Sequence, residues 1–257
     1  MNLNRSFFVP ADSILHRLNP LTKLTFAFAM IIPAFFSLSE LAPILVVPAF
    51  VAAFIGRVQK QYLSLLFRLI LPTIVFMFVM QSLFLPGGKT IIFKVGSFDV
   101  AVETIQAAFL TVSRIFVMIS SFAILLLTTH PSELMTDLTR RGLPSQFAYI
   151  IISTLQIIPQ MQAKAQTIIA AQRSRGLDTE STFFKRAGAL VPLVGPLVFG
   201  SLVEVEERAI AIEARGFTSK KVKTSLHEIP DTKFDQTLRW ALVLLVVISV
   251  VLKIWLS

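Results

Sequence analysis

The chain has 257 residues, of which 54% are hydrophobic and only 15% are charged, and its mean hydropathy is +0.74. This composition leaves too little polar surface for a soluble globule and predicts an all-α polytopic membrane protein. The net charge of +9 fits basic loops facing anionic lipid better than nucleic acid. The absence of cysteine excludes disulfides, thiolate catalysis and cysteine metal ligands.

Four apolar segments come before residue 130. Between Leu24 and Gly56 the only charge is Glu40, and one helix over this stretch would be about 50 Å long, against roughly 30 Å for the hydrocarbon core of a bilayer. We therefore expect two short spans, 24–39 and 41–56. Two longer spans follow at about 64–86 and 104–129.

A small extracellular hairpin is predicted over 86–100, where glycines flank β-branched and aromatic residues. The run Gly88-Lys89-Thr90 resembles the end of a phosphate-binding loop. Such a loop needs another glycine five positions earlier, where this chain has Leu83. We therefore do not expect nucleotide binding by this segment.

Arg114 is the one charge well inside a predicted span, and a buried cation in a membrane needs an acceptor. The acids Glu40 and Glu103 lie only at span edges. Arg114 is expected to reach backbone carbonyls or a hydroxyl such as Ser113 or Ser120, and the alternative is that it stabilises an assembly with a partner.

Residues 130–238 hold most of the acidic residues and many of the basic ones, yet they contain two apolar runs, 143–161 and 187–203. These runs are either two further spans or bent helices lying along the inner leaflet. Four prolines within them favour the interfacial helices: Pro144, Pro159, Pro192 and Pro196. Either choice leaves the chain ends on the same sides of the membrane.

The last predicted span, 239–257, carries Trp240 and Trp255 near its ends, as interfacial anchors do. The segments assigned outside hold few basic residues: Lys89, Lys94 and Lys253. The basic excess elsewhere predicts five spans with a cytoplasmic N-terminus and an outer C-terminus. Three regions follow: a four-span membrane region 1–129, a cytoplasmic region 130–238 and a C-terminal span 239–257.

Two segments forty residues apart end a helical pattern in the same way. The first is Ala171-Gln-Arg-Ser-Arg-Gly-Leu177 and the second is Ala211-Ile-Glu-Ala-Arg-Gly-Phe217. Glycine after the last helical turn is a common stop because it adopts the left-handed conformation at little steric cost. The two predicted tips are therefore Ser174-Arg175-Gly176 and Ala214-Arg215-Gly216.

Two interpretations of these tips remain open. They are ordinary helix ends with solvated arginines, or each guanidinium forms a charge-assisted bond to a carboxylate on a partner protein. The duplication within an apolar chain favours the partner.

No catalytic or metal-binding constellation is present in the sequence. It has no nucleophile elbow and no zinc-binding helix, and its three histidines are scattered. The only acid cluster, Glu204, Glu206 and Glu207, is expected to form the polar face of a helix with Arg208. Neither an enzyme active site nor a bound cofactor or metal is predicted.

Several motifs together resemble one family. They are Leu15-His-Arg-Leu-Asn-Pro-Leu-Thr-Lys23, the hairpin, the arginine-bearing fourth span with Leu125-Leu-Leu-Thr-Thr129, Arg140-Arg-Gly-Leu-Pro144, Ile157-Ile-Pro159 and the two tips. The chain is similar over nearly its whole length to the CbiQ-like transmembrane coupling subunits of energy-coupling factor transporters. In that family both tips have the sequence Ala-Arg-Gly, whereas the first tip here begins with Ser174.

The resemblance implies a set of partners. A subunit of this family lies in the plasma membrane of a prokaryote and binds two ABC ATPase subunits, which hold the ATP, and a separate substrate-capturing membrane subunit. Arg175 and Arg215 would enter acidic grooves on the two ATPases. The cargo would be a vitamin or another micronutrient, and the sequence does not identify it.

Two other functions fit the sequence less well. A conventional permease of an ATP-driven importer would bind its own substrate at mid-membrane, and polar residues at that depth are few here. A membrane-embedded, lipid-modifying enzyme would need a metal-binding acid cluster near the inner leaflet, for which only the three glutamates above are available.

Overall fold

The structure is a computed structural model that describes residues 8–9, 11–37, 42–84, 90–95, 98–176, 183–217, 219 and 229–256, with the backbone alone at 37, 69, 92–95, 98–99, 183–193 and 256. Helices dominate this part of the chain. Their bounds are α1 Ile14–Arg17, α2 Pro20–Ile32, α3 Ala42–Ile55, α4 Gln59–Leu65, α5 Leu71–Phe84, α6 Val102–Thr128, α7 Pro131–Arg140, α8 Ser145–Ser174, α9 Phe183–Ala214 and α10 Lys233–Leu256.

Five apolar helices match the five predicted spans. Three are long and apolar enough to cross a membrane, namely Gln59–Phe84, Val102–Thr128 and Lys233–Trp255, and two are shorter, Pro20–Phe36 and Ala42–Ile55. The first of the long helices joins α4 to α5 through a π-helical turn, Leu66–Ile70. A second π-helical turn, Pro33–Ser37, extends α2. It begins at a proline, which has no backbone N–H to donate to the helical hydrogen-bond pattern.

The ends of these helices alternate between two faces. Lys23 in the first turn of α2 donates to the carbonyl of Thr128 at the end of α6, with Nζ 2.8 Å from the oxygen. The backbone N–H of Asn19 donates to Asp235 at the start of α10 over 3.1 Å. The beginnings of α2 and α10 and the end of α6 therefore lie on one face.

The opposite face carries the predicted hairpin. Strands β1 (Ile91–Val95) and β2 (Phe98–Ala101) pair antiparallel, and β2 leads directly into α6. Thr104 at the start of α6 is hydrogen-bonded to the carbonyl of Ser82 near the end of α5. This up-and-down order agrees with the predicted five-span topology, and the assignment of one face to the cytoplasm stays a prediction.

The core of the membrane helices combines small residues with larger apolar ones. Ala42, Ala49, Ala52 and Ala53 of α3 are all buried, and the phenol of Tyr62 in α4 donates to Ser120 of α6 over 2.9 Å. Small residues let helix backbones approach closely, which is the usual means of association in lipid. Many other large apolar side chains point outward, among them Phe54 at 72% and Trp255 at 84% exposure, as expected for a surface that contacts lipid.

The contacts divide the described residues into two units. One holds α1 to α7, the hairpin and α10, and the other holds α8 and α9. The apolar run 143–161 lies in α8, which is not among the described helices apolar enough to span a membrane. The run 187–203 lies in α9, where side chains are described only from 194 onward. The interfacial placement of both runs stays a prediction.

Candidate functional site: the Arg-Gly helix ends

The first tip closes α8 as the glycine signal predicts. Arg175 follows the last helical residue, Ser174, and Gly176 has φ +91°, in the left-handed region. The N–H of Gly176 donates to the carbonyl of Arg173 over 2.9 Å, which satisfies one of the free carbonyls at the helix end. All three tip residues are exposed.

The second tip repeats this geometry at the end of α9. Gly216 has φ +69°, and its N–H donates to the carbonyl of Glu213 over 2.9 Å. The N–H of Phe217 reaches back to Ile212 over 3.1 Å, which completes the pair of bonds that defines a Schellman cap. Ala214, Arg215 and Gly216 are exposed.

The guanidinium groups of Arg175 and Arg215 have no ion pair or side-chain hydrogen bond within the part of the chain that the structure describes. They extend from helix ends, where the carbonyl dipoles favour a cation. Each tip therefore presents an exposed cation on a glycine-capped helix end, which is a suitable geometry for bidentate binding of a carboxylate.

Helices α8 and α9 pack antiparallel. Tyr149 near the start of α8 contacts Phe217 just after α9, with ring centroids 5.3 Å apart. Farther along α8, Lys164 forms an ion pair with Glu204 at 2.6 Å. Residue numbers thus rise along one helix as they fall along its neighbour.

Antiparallel packing places the two tips at opposite ends of the pair. Arg215 lies beside the start of α8, close to Tyr149, whereas Arg175 lies at the other end of that helix. At 1.5 Å per residue, the helix between these points is about 40 Å long. A single acidic groove cannot accept both guanidinium groups across this distance.

A third Arg-Gly end, at Arg141 and Gly142 after α7, has the same cap but a different environment. Gly142 has φ +113°. Here the guanidinium is paired, with Nε 3.4 Å from Asp137 and a terminal nitrogen 2.8 Å from Asp231. The sequence did not predict the pair with Asp231, because this residue lies ninety positions away along the chain.

Asp231 is the centre of this ion cluster. It also accepts from Arg239 over 2.8 Å. Desolvation alone would raise the pKa of Asp231, but the hydrogen bonds and charges of Arg239 and Arg141 outweigh it and hold this pKa below its usual value. The cluster ties the end of α7 to the segment before α10.

The three clustered glutamates of α9 lie on an exposed, polar part of the helix, as the sequence predicted. Glu204 is paired with Lys164, and Glu204, Glu206 and Glu207 are exposed. Arg208 donates to Gln160 of α8 instead, over 3.5 Å. No group of three potential metal ligands occurs among the described residues.

Arg114 lacks the partners expected of it. The hydroxyl of Ser113 donates to the carbonyl of Phe109, and that of Ser120 accepts from Tyr62. Nε of Arg114 is buried without a hydrogen-bond partner. Among the described residues no hydrogen bond joins the guanidinium to Ser113 or Ser120, so the expectation is wrong for these two hydroxyls.

Comparison with known proteins gives consistent results. The family model described as "CbiQ: Cobalt transport protein" matches residues 11–226. An energy-coupling factor transporter transmembrane protein EcfT from Leuconostoc gelidum is 33% identical over 264 residues, covering 97% of this chain and 96% of the relative. Proteins with the same name from Limosilactobacillus fermentum and Lactococcus lactis are 31% and 25% identical, covering 95% and 99% of this chain and 93% and 98% of the relatives.

Proposed function

Because the chain belongs to the CbiQ family of cobalt transport proteins, we propose that it is the transmembrane coupling subunit of an energy-coupling factor importer. It links ATP hydrolysis by two ABC ATPase subunits to a substrate-capturing membrane subunit that takes up a vitamin or another micronutrient. It lies in the plasma membrane of a prokaryotic cell with its N-terminus in the cytoplasm. Regions 1–129 and 239–257 are the membrane part, and 130–238 is the cytoplasmic coupling part.

One observation supports this function above the others. Two exposed arginines without an ion pair among the described residues lie on glycine-capped helix ends, about 40 Å apart at opposite ends of one helix pair. Two separate acidic grooves, one on each ATPase, suit this arrangement. Ser174 and Ala214 occupy the same place before the arginine and are both small, so neither obstructs a groove that closes around the tip.

The chemistry of the tips suits the transmission of force. A guanidinium forms two parallel hydrogen bonds with a carboxylate, so a moving groove carries the arginine with it in a fixed orientation. The glycine cap holds the arginine backbone, and the antiparallel contact with the other helix resists bending. ATP is bound by the partner ATPases, and the chain itself acts without nucleotide, cofactor or catalytic residues.

The deciding experiment reverses both tip charges. We expect Arg175→Glu combined with Arg215→Glu to weaken association with the ATPase subunits at least a hundredfold, because each reversal replaces an attraction by a repulsion of several kcal/mol. Membrane insertion is unaffected, since neither side chain packs within the described chain. Co-purification of the ATPases with the tagged chain in mild detergent measures the effect.

The control is Arg208→Glu, which makes one such charge reversal in the body of α9 and leaves both tips intact. It is expected to retain the ATPases. If the doubly reversed chain still brings down stoichiometric ATPase, the tips do not bind these subunits and the proposed role of both arginines is wrong.

A further inference from the structure

Arg114 places a cation near the centre of α6. The helix runs from Val102 to Thr128, so the arginine lies about 18 Å from its first residue and about 21 Å from its last. A helix of this length exceeds the roughly 30 Å hydrocarbon core by only a few ångströms at each end. The guanidinium is therefore too deep for its side chain to extend to either interface.

The described residues provide no acceptor for this cation. No hydrogen bond or ion pair of the guanidinium is present in them, and Nε is buried without a partner. The acids on the described membrane helices lie at helix ends, Glu103 in the first turn of α6 and Asp235 in the first turn of α10. A cation left without an acceptor at this depth is strongly unfavourable, so charged residues in membrane spans are usually paired.

Lys23 shows how this protein satisfies a buried cation when the acceptor is its own. Its Nζ donates to the carbonyls of His16 and Thr128, over 3.1 and 2.8 Å, and the side chain is only 4% exposed. Arg114 is instead half-buried, as are Leu110 and Met118 one turn away on either side of the same helix face. This face is thus partly accessible from outside the chain.

We propose that Arg114 is a docking site for a second membrane-spanning polypeptide, the substrate-capturing subunit, which supplies a carboxylate at mid-membrane depth. The inference rests on the proposed function, which provides that partner. A lipid phosphate cannot fill the role because headgroups lie at the interfaces, so the acceptor is carried by protein. Contact with the face of Leu110 and Met118 would exclude lipid from around the ion pair.

The first test compares Arg114→Met, Arg114→Lys and Arg68→Met in a complex with the ATPases and one co-expressed substrate-capturing subunit. Arg68 is the matched control because it is exposed and lies nearer to the end of its own apolar helix, Gln59–Phe84. We expect Arg114→Met to lower affinity for the capturing subunit at least tenfold and to retain both ATPases. Arg114→Lys recovers part of this affinity. The affinity of Arg68→Met for the capturing subunit stays within twofold of that of the unaltered chain.

Each other outcome contradicts a specific claim. Retention of the capturing subunit by Arg114→Met overturns the docking site. Reduced insertion or a lower thermal midpoint of the isolated Arg114→Met chain also overturns it, because the guanidinium would then be satisfied internally. If the unaltered chain binds neither ATPases nor capturing subunit, the proposed function itself fails.

A second test keeps Arg114 in place. Since the chain has no cysteine, Met118→Cys creates a unique thiol one turn from the arginine, to which a photoreactive benzophenone can be attached. We expect an adduct with the capturing subunit on illumination of the assembled complex. Adducts with phospholipid alone would show that this face is a lipid-exposed surface and would overturn the proposal.

Discussion

The end of α7 and the ends of α8 and α9 share a local sequence but differ in the neighbours of their arginines. All three place a glycine at positive φ after an arginine, and in all three the glycine N–H bonds to a carbonyl three residues back. Arg141 is neutralised by Asp137 and Asp231, whereas Arg175 and Arg215 have no acid within the described residues. The same cap thus serves an internal junction in one place and presents a free cation in the other two.

This difference shows what decides the role of an Arg-Gly end. The backbone is set by glycine, which is a local property. The role of the arginine depends on carboxylates that approach from elsewhere in the fold, and Asp231 is the clearest example. We call the end at Arg141 the closed end, because its arginine is paired with acids of its own chain. Such an arginine binds a partner's carboxylate weakly, since its charge is already neutralised.

The largest expected effect is on the number of ATPases that the complex contains, which should depend on the two tips and not on the end at Arg141. Arg175→Glu alone and Arg215→Glu alone should each release one ATPase and retain the other, because the tips are too far apart to share a groove. Affinity at the altered end should fall roughly a hundredfold. Native mass spectrometry of the purified complex would count the ATPases.

Arg141→Gln is the control for that experiment and should leave two ATPases bound. Loss of an ATPase from this variant would show that the closed end also binds a partner. Loss of both ATPases from either single tip variant would mean that the two ends do not act separately.

The next effect concerns stability and is confined to the closed end. Asp231→Asn leaves Arg141 and Arg239 without their shared charge and should lower the free energy of unfolding by about 1–3 kcal/mol. Glu204→Gln removes the exposed pair with Lys164 and should cost less than about 1 kcal/mol. Denaturant unfolding in mild detergent would measure both losses of stability. Equal losses would show that the cluster at Asp231 contributes no more than the exposed pair of Glu204.

The Asp231 effect should depend on pH in a defined direction. Its folded-state pKa is lowered, so its contribution is fully present above the unfolded value of about 3.9 and is lost as pH falls through the folded value. The stability difference between the unaltered chain and Asp231→Asn should therefore be constant near neutrality and shrink below about pH 4. A difference that grows on acidification would assign the effect to another group.

Local patterns in the sequence predicted much of this fold. Apolar run lengths indicated five membrane helices, glycines around 86–100 indicated the hairpin, and Gly176 and Gly216 marked two helix ends, because each of these signals acts within a few residues. The free tip arginines could be located but their binding role stays a prediction.

The features that the sequence did not predict depend on distant residues. Three such contacts join positions at least forty residues apart. They are the ion pair of Lys164 with Glu204, the hydrogen bond of Lys23 to the Thr128 carbonyl and the ion pair of Arg141 with Asp231. No hydrogen bond joins Arg114 to Ser113 or Ser120 among the described residues, where the first hydroxyl donates to Phe109 and the second accepts from Tyr62.

The smallest expected effect tests whether the three caps are equivalent in energy. No atom lies within 4 Å of a Cβ built at Gly142, Gly176 or Gly216, so the cost of alanine arises from positive φ alone. Each substitution should lower stability by about 1 kcal/mol, to a similar extent at the closed end and at the free ends. Differential scanning fluorimetry would compare the three losses, and a much larger loss at one end than at the other two would contradict their equivalence. Only Gly176→Ala and Gly216→Ala should also weaken ATPase binding, since only these caps hold an arginine that remains free for a partner.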